Sequence, residues 1–252
     1  AKSQRPLILC GPAMSETRNP GQLAALESAL GAPTIAMESP RGLKDPALGN
    51  VAKALGQADL IVVLGKRIDF TLGFGGSNGV DPACKWMVIQ ANATERDRAH
   101  RNLGIRLNAC FAADPRDSID VLAGSGQDGH DAWRREVANL VAARGFSAED
   151  NVPSGKITPA QLCAAVQRQI GKAERSIVIC DGGEFGQWAQ AATHADHRVI
   201  NGISGAIGGG LCYGLGAKCA MPDATVFALM GDGTVGFHFA EFETAARVGK
   251  PY

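Results

Sequence analysis

The segment best suited to chemistry is the turn Gly231-Asp232-Gly233-Thr234, which follows an apolar run at residues 225–230. Glycines on both sides of Asp232 allow backbone amides to approach an anion without a Cβ in the way. The carboxylate is a hard oxygen ligand that suits Mg²⁺ held together with phosphate oxygens, and Thr234 adds a hydroxyl or an amide. An ordinary turn is the simpler interpretation of Gly-Asp-Gly alone. The strand before it and the helix after it favour a ligand site.

Two further glycine clusters precede this turn. Residues 201–216 contain seven glycines in sixteen positions, which costs a helix up to about 1 kcal/mol per glycine unless close packing or a flat ligand offsets it. A loop or a tightly packed core helix is the alternative. Residues 180–188 place Gly183 and Glu184 after another apolar run, where amides and side chains can meet a ligand.

These clusters need a scaffold that brings strand ends together, and the chain alternates apolar runs with helical patterns. The alternation predicts an α/β fold of two three-layer αβα domains with mostly parallel sheets. Ligands of such sheets bind at the carboxyl ends of the strands. Strands are predicted at 6–10, 34–37, 58–64, 85–90, 110–113, 176–180, 198–200 and 225–230, with loop at 39–49. Helices are predicted at 21–30, 51–55, 114–122 (Asp114 as cap), 158–170, 208–220 and 239–248.

A change of composition marks a boundary between the two domains. Residues 124–155 are polar and rich in glycine at their start, and they contain a polar helical segment around Trp133. We therefore expect a first domain at 1–124, a linker with a helix at 125–156, and a second domain at 157–252.

Overall composition restricts the class of protein. The 25 basic and 25 acidic side chains balance, which argues against a nucleic-acid binder with a broad basic face. No apolar stretch reaches the roughly 18 residues of a membrane span, and the first twenty residues do not resemble a signal peptide. Seven cysteines, an odd number without CxxC spacing, indicate free thiols. We expect a cytoplasmic protein with neither nucleic acid nor membrane as a partner.

The second half resembles the pyrophosphate-binding domain of thiamine diphosphate enzymes, in the acetohydroxyacid synthase, 2-hydroxyacyl-CoA lyase and benzoylformate decarboxylase group. That family has an aspartate-glycine strand end, a GxxGxMGxGLPxAIGAxxA helix, a Pro-Asp, and a GDG followed by an E(L/F)xTA helix. Order and spacing agree along the whole segment. The corresponding residues are Asp181-Gly182, Gly205 to Gly208, Gly214 to Ala217, Pro222-Asp223, Gly231 to Thr234 and Glu241 to Ala245.

The resemblance implies that thiamine diphosphate serves as an electron sink while a C–C bond next to a carbonyl is made or broken, in a 2-keto acid or acyl-CoA substrate. It implies Asp232 as a ligand of Mg²⁺, Gly233 and Thr234 around the diphosphate, and Ile207 as an apolar wedge beneath the bent cofactor. The other cofactor-binding residues that it implies are Gly183, Glu184, Gly205 and Gly231. A homodimer or homotetramer is implied as well. His238, just after the turn, is expected to be a structural histidine rather than one that faces the cofactor.

Residues 4–124 resemble the central domain of the same family, on the segments 31–42, 58–70 and 86–102. In some members this domain binds FAD or ADP and in others nothing. Lys66, Arg67 and Arg41 are candidates for phosphate contacts, with a solvated basic rim as the alternative. The competing function is therefore that of a non-catalytic FAD- or ADP-binding protein.

Two parts of the family pattern have no counterpart among the 252 residues. The family's second magnesium ligand is an asparagine two to three dozen residues beyond the GDG aspartate, and none of the 20 residues after Asp232 is asparagine. The glutamate that activates the aminopyrimidine belongs to a domain that normally precedes the central one. We expect a second domain truncated at its carboxyl end, and an isolated chain that is catalytically inactive with no catalytic residue of its own.

Overall fold

A computed structural model describes residues 3–16, 18–76, 79–123, 129–143, 155–201 and 206–252. The chain divides into two compact units, residues 1–44 with 48–143 and residues 45–47 with 144–252. Within the described residues, none of the helices is long and apolar enough to cross a membrane. The mostly parallel α/β architecture predicted from the sequence is confirmed.

The first unit is built on a parallel five-stranded sheet in the order β2-β1-β3-β4-β5. Successive residues of β1 point to opposite faces, so Leu7 and Leu9 belong to one apolar cluster and Ile8 and Cys10 to the other. Both faces are therefore covered. The strands are β1 (Pro6–Cys10), β2 (Thr34–Ala36), β3 (Leu60–Leu64), β4 (Lys85–Ile89) and β5 (Leu107–Phe111). The helices are α1 (Gln22–Leu30), α2 (Val51–Gln57), α3 (Ala93–Leu103), α4 (Ser118–Ala123) and α5 (Asp131–Ala142).

Four local predictions in this unit differ from the structure. The last strand is β5 rather than 110–113, and α3 was not predicted. Two short 3-10 turns, Gly42–Lys44 and Pro46–Leu48, interrupt the predicted loop. The helix predicted from Asp114 begins only at Ser118, because the Asp114 carboxylate accepts the Arg116 amide at 2.9 Å and closes a separate turn first.

Helix α5, which the sequence places in the linker, packs on the first unit. Trp133 is 4% exposed, and its indole Nε1 donates a 2.8 Å hydrogen bond to the carbonyl oxygen of Pro6. The Asn50 amide donates to the Leu140 carbonyl oxygen at 2.8 Å. The structure therefore includes this helix in the first unit's core.

The second unit contains a parallel three-stranded sheet in the order β7-β6-β8. Its first helix begins where the sequence predicts, because the Thr158 hydroxyl and the Gln161 side chain form a reciprocal capping box. The strands are β6 (Ser176–Cys180), β7 (His197–Ile200) and β8 (Thr225–Leu229). The helices are α6 (Pro159–Ile170), α7 (Gly183–Ala192), α8 (Gly210–Ala220), α9 (Asp232–Val235) and α10 (Glu241–Arg247).

Candidate cofactor site

The order of the strands in the second unit indicates where a ligand can bind. The chain passes from β6 through α7 to β7 on one side, and then through α8 to β8 on the other side of β6. Helices α7 and α8 contribute to different apolar clusters. A crevice forms in such sheets where the strand order reverses, beyond the carboxyl ends of the strands. Here that position lies between the ends of β6 and β8.

The end of β6 carries a buried carboxylate. Asp181 is 0% exposed, and it accepts hydrogen bonds from the side-chain amide of Asn201 and, at 3.0 Å, from the backbone amide of Gly208. A Cβ added to Gly182 would lie 2.2 Å from the carbonyl oxygen of Ala206, so only glycine fits there. The predicted residue Gly183 follows with a φ of 83°, and Glu184 is exposed in the first turn of α7.

The residues that lead into α8 form a packed turn, Ala206 to Gly210, and Gly210 is the first residue of the helix. Gly208 has a φ of 96°, and a Cβ at this position would lie 2.7 Å from the Cβ of Phe237. The ring nitrogen Nδ1 of His238 lies 2.8 Å from the Gly208 carbonyl oxygen. Since a carbonyl oxygen can only accept, Nδ1 carries the proton in this contact. Glycine is therefore required at position 208 by the packing against Phe237 and by the backbone conformation.

Ile207 lies within the packed turn, ahead of α8 rather than inside it. Its side chain is 45% exposed, which is unusual for an isoleucine beside buried strand ends. Its Cγ2 would lie 2.8 Å from a Cβ built on Gly182, so it lies against the backbone two residues beyond the end of β6. The structure thus presents an apolar side chain at the crevice, where the resemblance implies a wedge.

The residues after β8 form an open turn, Gly231 to Gly236. Cβ atoms built on Gly231, Gly233 and Gly236 meet nothing within 4 Å, and none of the three has a positive φ. Neither packing nor backbone conformation within the described residues therefore requires glycine at these positions. An added group that approaches the backbone from outside would require it.

Some polar groups of the open turn already form hydrogen bonds within the turn, and others are available to a ligand. Thr234 is 7% exposed, and its hydroxyl and amide both donate to the Gly231 carbonyl oxygen, at 2.9 and 3.1 Å. Its hydroxyl oxygen can still accept. The Asp232 side chain is exposed, and in the described part of the chain neither its carboxylate nor the amides of residues 231–233 have a hydrogen-bond partner.

This set of donors and acceptors fits a metal–diphosphate better than a bare metal. Among the described residues, no group of three or more His, Cys, Asp or Glu side chains could hold a metal ion. Mg²⁺ commonly takes one or two carboxylates and fills its other positions with phosphate oxygens and water. One exposed carboxylate beside free amides matches that pattern.

The thiol at the end of β6 is unsuited to catalysis. Cys180, the last residue of β6, is fully buried, and burial raises its pKa to about 12. The thiol therefore stays protonated near neutral pH, where only the thiolate is a nucleophile.

The first unit has its own strand-order reversal, between β1 and β3. A Cβ on Gly11 would lie 2.3 Å from the Gly65 carbonyl oxygen, so the two strand ends are tightly apposed. The predicted phosphate contact Lys66 is 6% exposed, its ammonium donates to Thr71, and its burial lowers its pKa. Arg67 lies on the surface, 3.6 Å from the Glu95 carboxylate. The Lys66 ammonium thus forms its hydrogen bond inside the first unit, not with a ligand at the surface.

Comparison with known proteins shows which family these residues resemble. Residues 181–252, which include both turns and the end of β6, match the family described as thiamine pyrophosphate enzyme, C-terminal TPP binding domain. These residues are thus similar to the cofactor-binding domain of the thiamine diphosphate-dependent enzymes. The matched residues cover the family motifs singled out in the sequence.

Relatives of this thiamine diphosphate enzyme family extend over most of the chain. It is 32% identical over 205 residues to the acetolactate synthase large subunit IlvG of Mycobacterium tuberculosis, covering 78% of this chain and 35% of the relative. It is 27% identical over 276 residues to 2-hydroxyacyl-CoA lyase 2 of Homo sapiens, covering 98% of this chain and 40% of the relative. The chain therefore spans less than half the length of these relatives.

A solved structure has the same fold. It is a thiamine diphosphate-dependent 4-hydroxybenzoylformate decarboxylase from Rhodococcus jostii RHA1, with a TM-score of 0.71 and 20% identity, over 98% of this chain and 47% of that one. At this level of identity the likeness concerns the fold.

The structure brings together most of the site residues predicted from the sequence. Gly183 and Thr234 are neighbours, because a Cβ on Gly183 would lie 3.9 Å from the Thr234 methyl group. Gly205 lies outside the described residues. Sequence reasoning gave no role to Asn201 or Phe237, which pack around the turn. The signal available for them was only the glycine density of 201–216, which indicated close packing without naming its partners.

Proposed function

We propose that the protein holds the diphosphate end of thiamine diphosphate, together with Mg²⁺, in an enzyme that makes or breaks a C–C bond next to a carbonyl group. The observation that carries this proposal is the open turn: two glycines that nothing in the described chain requires flank an exposed, unpartnered carboxylate. When bound, the cofactor supplies an electron sink for the carbanion that such reactions generate.

The described residues divide the binding task among them. Asp232 would be the protein's carboxylate ligand to Mg²⁺, and the amides at Gly231 and Gly233 would donate to the diphosphate. Thr234, whose own donors are already used, would contribute its hydroxyl oxygen as an acceptor. Ile207 would support the organic part of the cofactor with an apolar surface. Gly183 and Glu184, at the start of α7, complete the wall of the crevice, and Gly205 remains a prediction.

Substrate class and assembly are proposed more broadly. The names of the relatives point to a small 2-keto acid or an acyl-CoA as substrate. We propose a homodimer or homotetramer, in keeping with the family resemblance. We also propose a cytoplasmic location, which the seven unpaired cysteines support.

A second ligand, FAD or ADP in the first unit, stays a prediction. The apposed strand ends at Gly11 and Gly65 favour it, because ligands bind where the strand order reverses. The buried Lys66 ammonium disfavours it, because its hydrogen bond to Thr71 would have to break. Flavin absorbance, or a nucleotide released on denaturation of the purified protein, would support the nucleotide-binding alternative.

The experiment that tests the proposed function is a calorimetric titration with thiamine diphosphate in the presence of Mg²⁺. Asp232→Ala should reduce the affinity by at least about tenfold, because charge-assisted contacts contribute about 1.5–3 kcal/mol, and should leave the melting temperature unchanged. Asp223→Ala is the matched control, since Asp223 is an exposed aspartate at the opposite end of β8. Equal affinities for wild type and Asp232→Ala would remove Asp232 from the site.

A further inference from the structure

The backbone on either side of Ile207 is held by side chains from three separate segments. The Asn201 amide nitrogen donates to the Ala206 carbonyl oxygen at 2.7 Å. The Gly208 amide donates to the Asp181 carboxylate at 3.0 Å, and the His238 Nδ1–H donates to the Gly208 carbonyl oxygen at 2.8 Å. Ile207 is therefore fixed from both sides through its neighbours.

Two members of this set are buried and bonded to each other. Asp181 is 0% exposed and Asn201 is 4% exposed, and the Asn201 amide donates to the second Asp181 oxygen. A buried carboxylate is costly, and apolar side chains of similar volume often stabilise a fold better. The side chains of this pair form hydrogen bonds with each other and with the backbone of the packed turn. The buried carboxylate therefore holds the packed turn in position.

The third member ties the packed turn to the open turn's side of the crevice. His238 is the last residue of the 3-10 turn Gly236–His238 that follows α9, and Phe237 beside it would meet a Cβ on Gly208 at 2.7 Å. The exposed side chain that all these contacts leave facing outward from the middle of the turn is Ile207. A shift of Ile207 would break at least one buried hydrogen bond.

We propose that Asp181, Asn201 and His238 form a clamp that sets the position of Ile207 and thereby the fit of the cofactor's organic part. They are positioning residues, which act through Ala206 and Gly208 and not by contact with the cofactor. The inference rests on the proposed function. It assigns the clamp to the organic part of the cofactor and the open turn to the diphosphate.

The test compares two ligands on the same protein, Mg²⁺–thiamine diphosphate and Mg²⁺ with inorganic diphosphate. Asp181→Asn keeps the shape but offers one acceptor to two donors, so one hydrogen bond is lost whichever way the amide turns. It should weaken thiamine diphosphate binding about fivefold to tenfold, as expected for one net hydrogen bond, and change inorganic diphosphate binding less than about twofold. Asp117→Asn, an exposed aspartate in the first unit, is the matched control.

His238 provides a second variant that does not disturb the core. His238→Ala removes the donor to Gly208, whereas His238→Asn keeps an N–H the same number of bonds from Cα as Nδ1. We expect His238→Ala to lose affinity for thiamine diphosphate but not for inorganic diphosphate. We expect His238→Asn to keep the wild-type affinity for thiamine diphosphate. His100→Ala, an exposed histidine on α3, controls for the loss of an imidazole.

The outcomes separate the two proposals. Selective loss of thiamine diphosphate affinity in Asp181→Asn and His238→Ala, with rescue by His238→Asn, supports the clamp. Equal losses for both ligands indicate a general structural role and overturn it, and so does unchanged affinity for both. A wild-type protein that binds neither ligand contradicts the proposed function itself and removes the basis of the clamp.

Discussion

The packed turn and the open turn lie at one crevice, contain a similar density of glycine, and use it differently. In the packed turn, Gly208 has a positive φ and Gly210 would meet the Met230 side chain at 2.6 Å with a Cβ. In the open turn, Gly231 and Gly233 meet nothing and adopt conformations open to any residue. A glycine that the fold requires reports on packing. A glycine that the fold does not require indicates a ligand that approaches the backbone at that position.

The difference assigns separate duties to the two turns. Three side chains and an aromatic ring hold the packed turn, so it can present Ile207 in a fixed position. The open turn keeps an exposed carboxylate and free amides, which is what a metal-bound anion needs. Substitutions that add one methyl group to each turn should therefore have opposite consequences for stability and for binding.

The strongest effect that we expect is on stability, from Gly208→Ala in the packed turn. A positive φ costs an L-residue about 1–2 kcal/mol and overpacking against Phe237 about 1–3 kcal/mol, so the free energy of unfolding of the second unit should fall by about 2–5 kcal/mol. Chemical denaturation followed by circular dichroism measures it. Gly216→Ala, on α8 with no neighbour within 4 Å, is the control and should instead gain about 0.5–1 kcal/mol. Equal stabilities for the two variants would contradict the required role of glycine in the packed turn.

The next effect concerns Ile207, where shape should matter more than stability. Its side chain is 45% exposed, so Ile207→Ala should cost about 1 kcal/mol of unfolding free energy or less. In the full-length enzyme, turnover per folded, cofactor-loaded molecule should fall in the order Ile, Leu or Met, Thr, Ala, because the wedge is apolar and bulky. If turnover is the same for isoleucine and alanine at a temperature where both are native, Ile207 has no part in the mechanism.

The weakest effect concerns the metal in the open turn. The described chain offers Mg²⁺ a single exposed carboxylate there, so titration with MgCl₂ alone should give no measurable heat, while Mg²⁺ with inorganic diphosphate should bind. Tight binding of the metal alone would mean that other residues complete a metal site without any help from phosphate oxygens.

Sequence reasoning found the buried strands and the open turn because their signals are local, but it placed Gly208 in a helix that begins only at Gly210. An apolar run such as 60–64 that ends in glycine predicts a buried strand, and here it forms β3 of the parallel sheet. Sequence reasoning failed where a single side chain changes the position at which a helix begins. The Asp114 carboxylate bonds to the Arg116 amide instead of capping a helix, so α4 begins four residues later than the predicted cap.

Contacts between distant residues could not be predicted in the same way. Asp181 and Asn201 are 20 positions apart, and His238 is 30 positions from Gly208. Neither separation matches a helical or strand period, so no sequence pattern predicts these contacts. They form because the fold brings the ends of different strands together. The distinction between required and unrequired glycines also needs coordinates, since both kinds look alike in the sequence.

If the open turn keeps its glycines for a ligand, then Gly233→Ala should reduce the stability that the ligand adds without destabilising the free protein. Unfolding is measured for wild type and variant, with and without Mg²⁺–thiamine diphosphate at about 100 times the wild-type dissociation constant. Without ligand, we predict that the variant is as stable as the wild type or up to about 1 kcal/mol more stable, because Gly233 lies in α9 and a Cβ there meets nothing. With ligand, the wild type should gain about 2.7 kcal/mol and the variant much less. Equal gains for both proteins would contradict a ligand-binding role for this glycine.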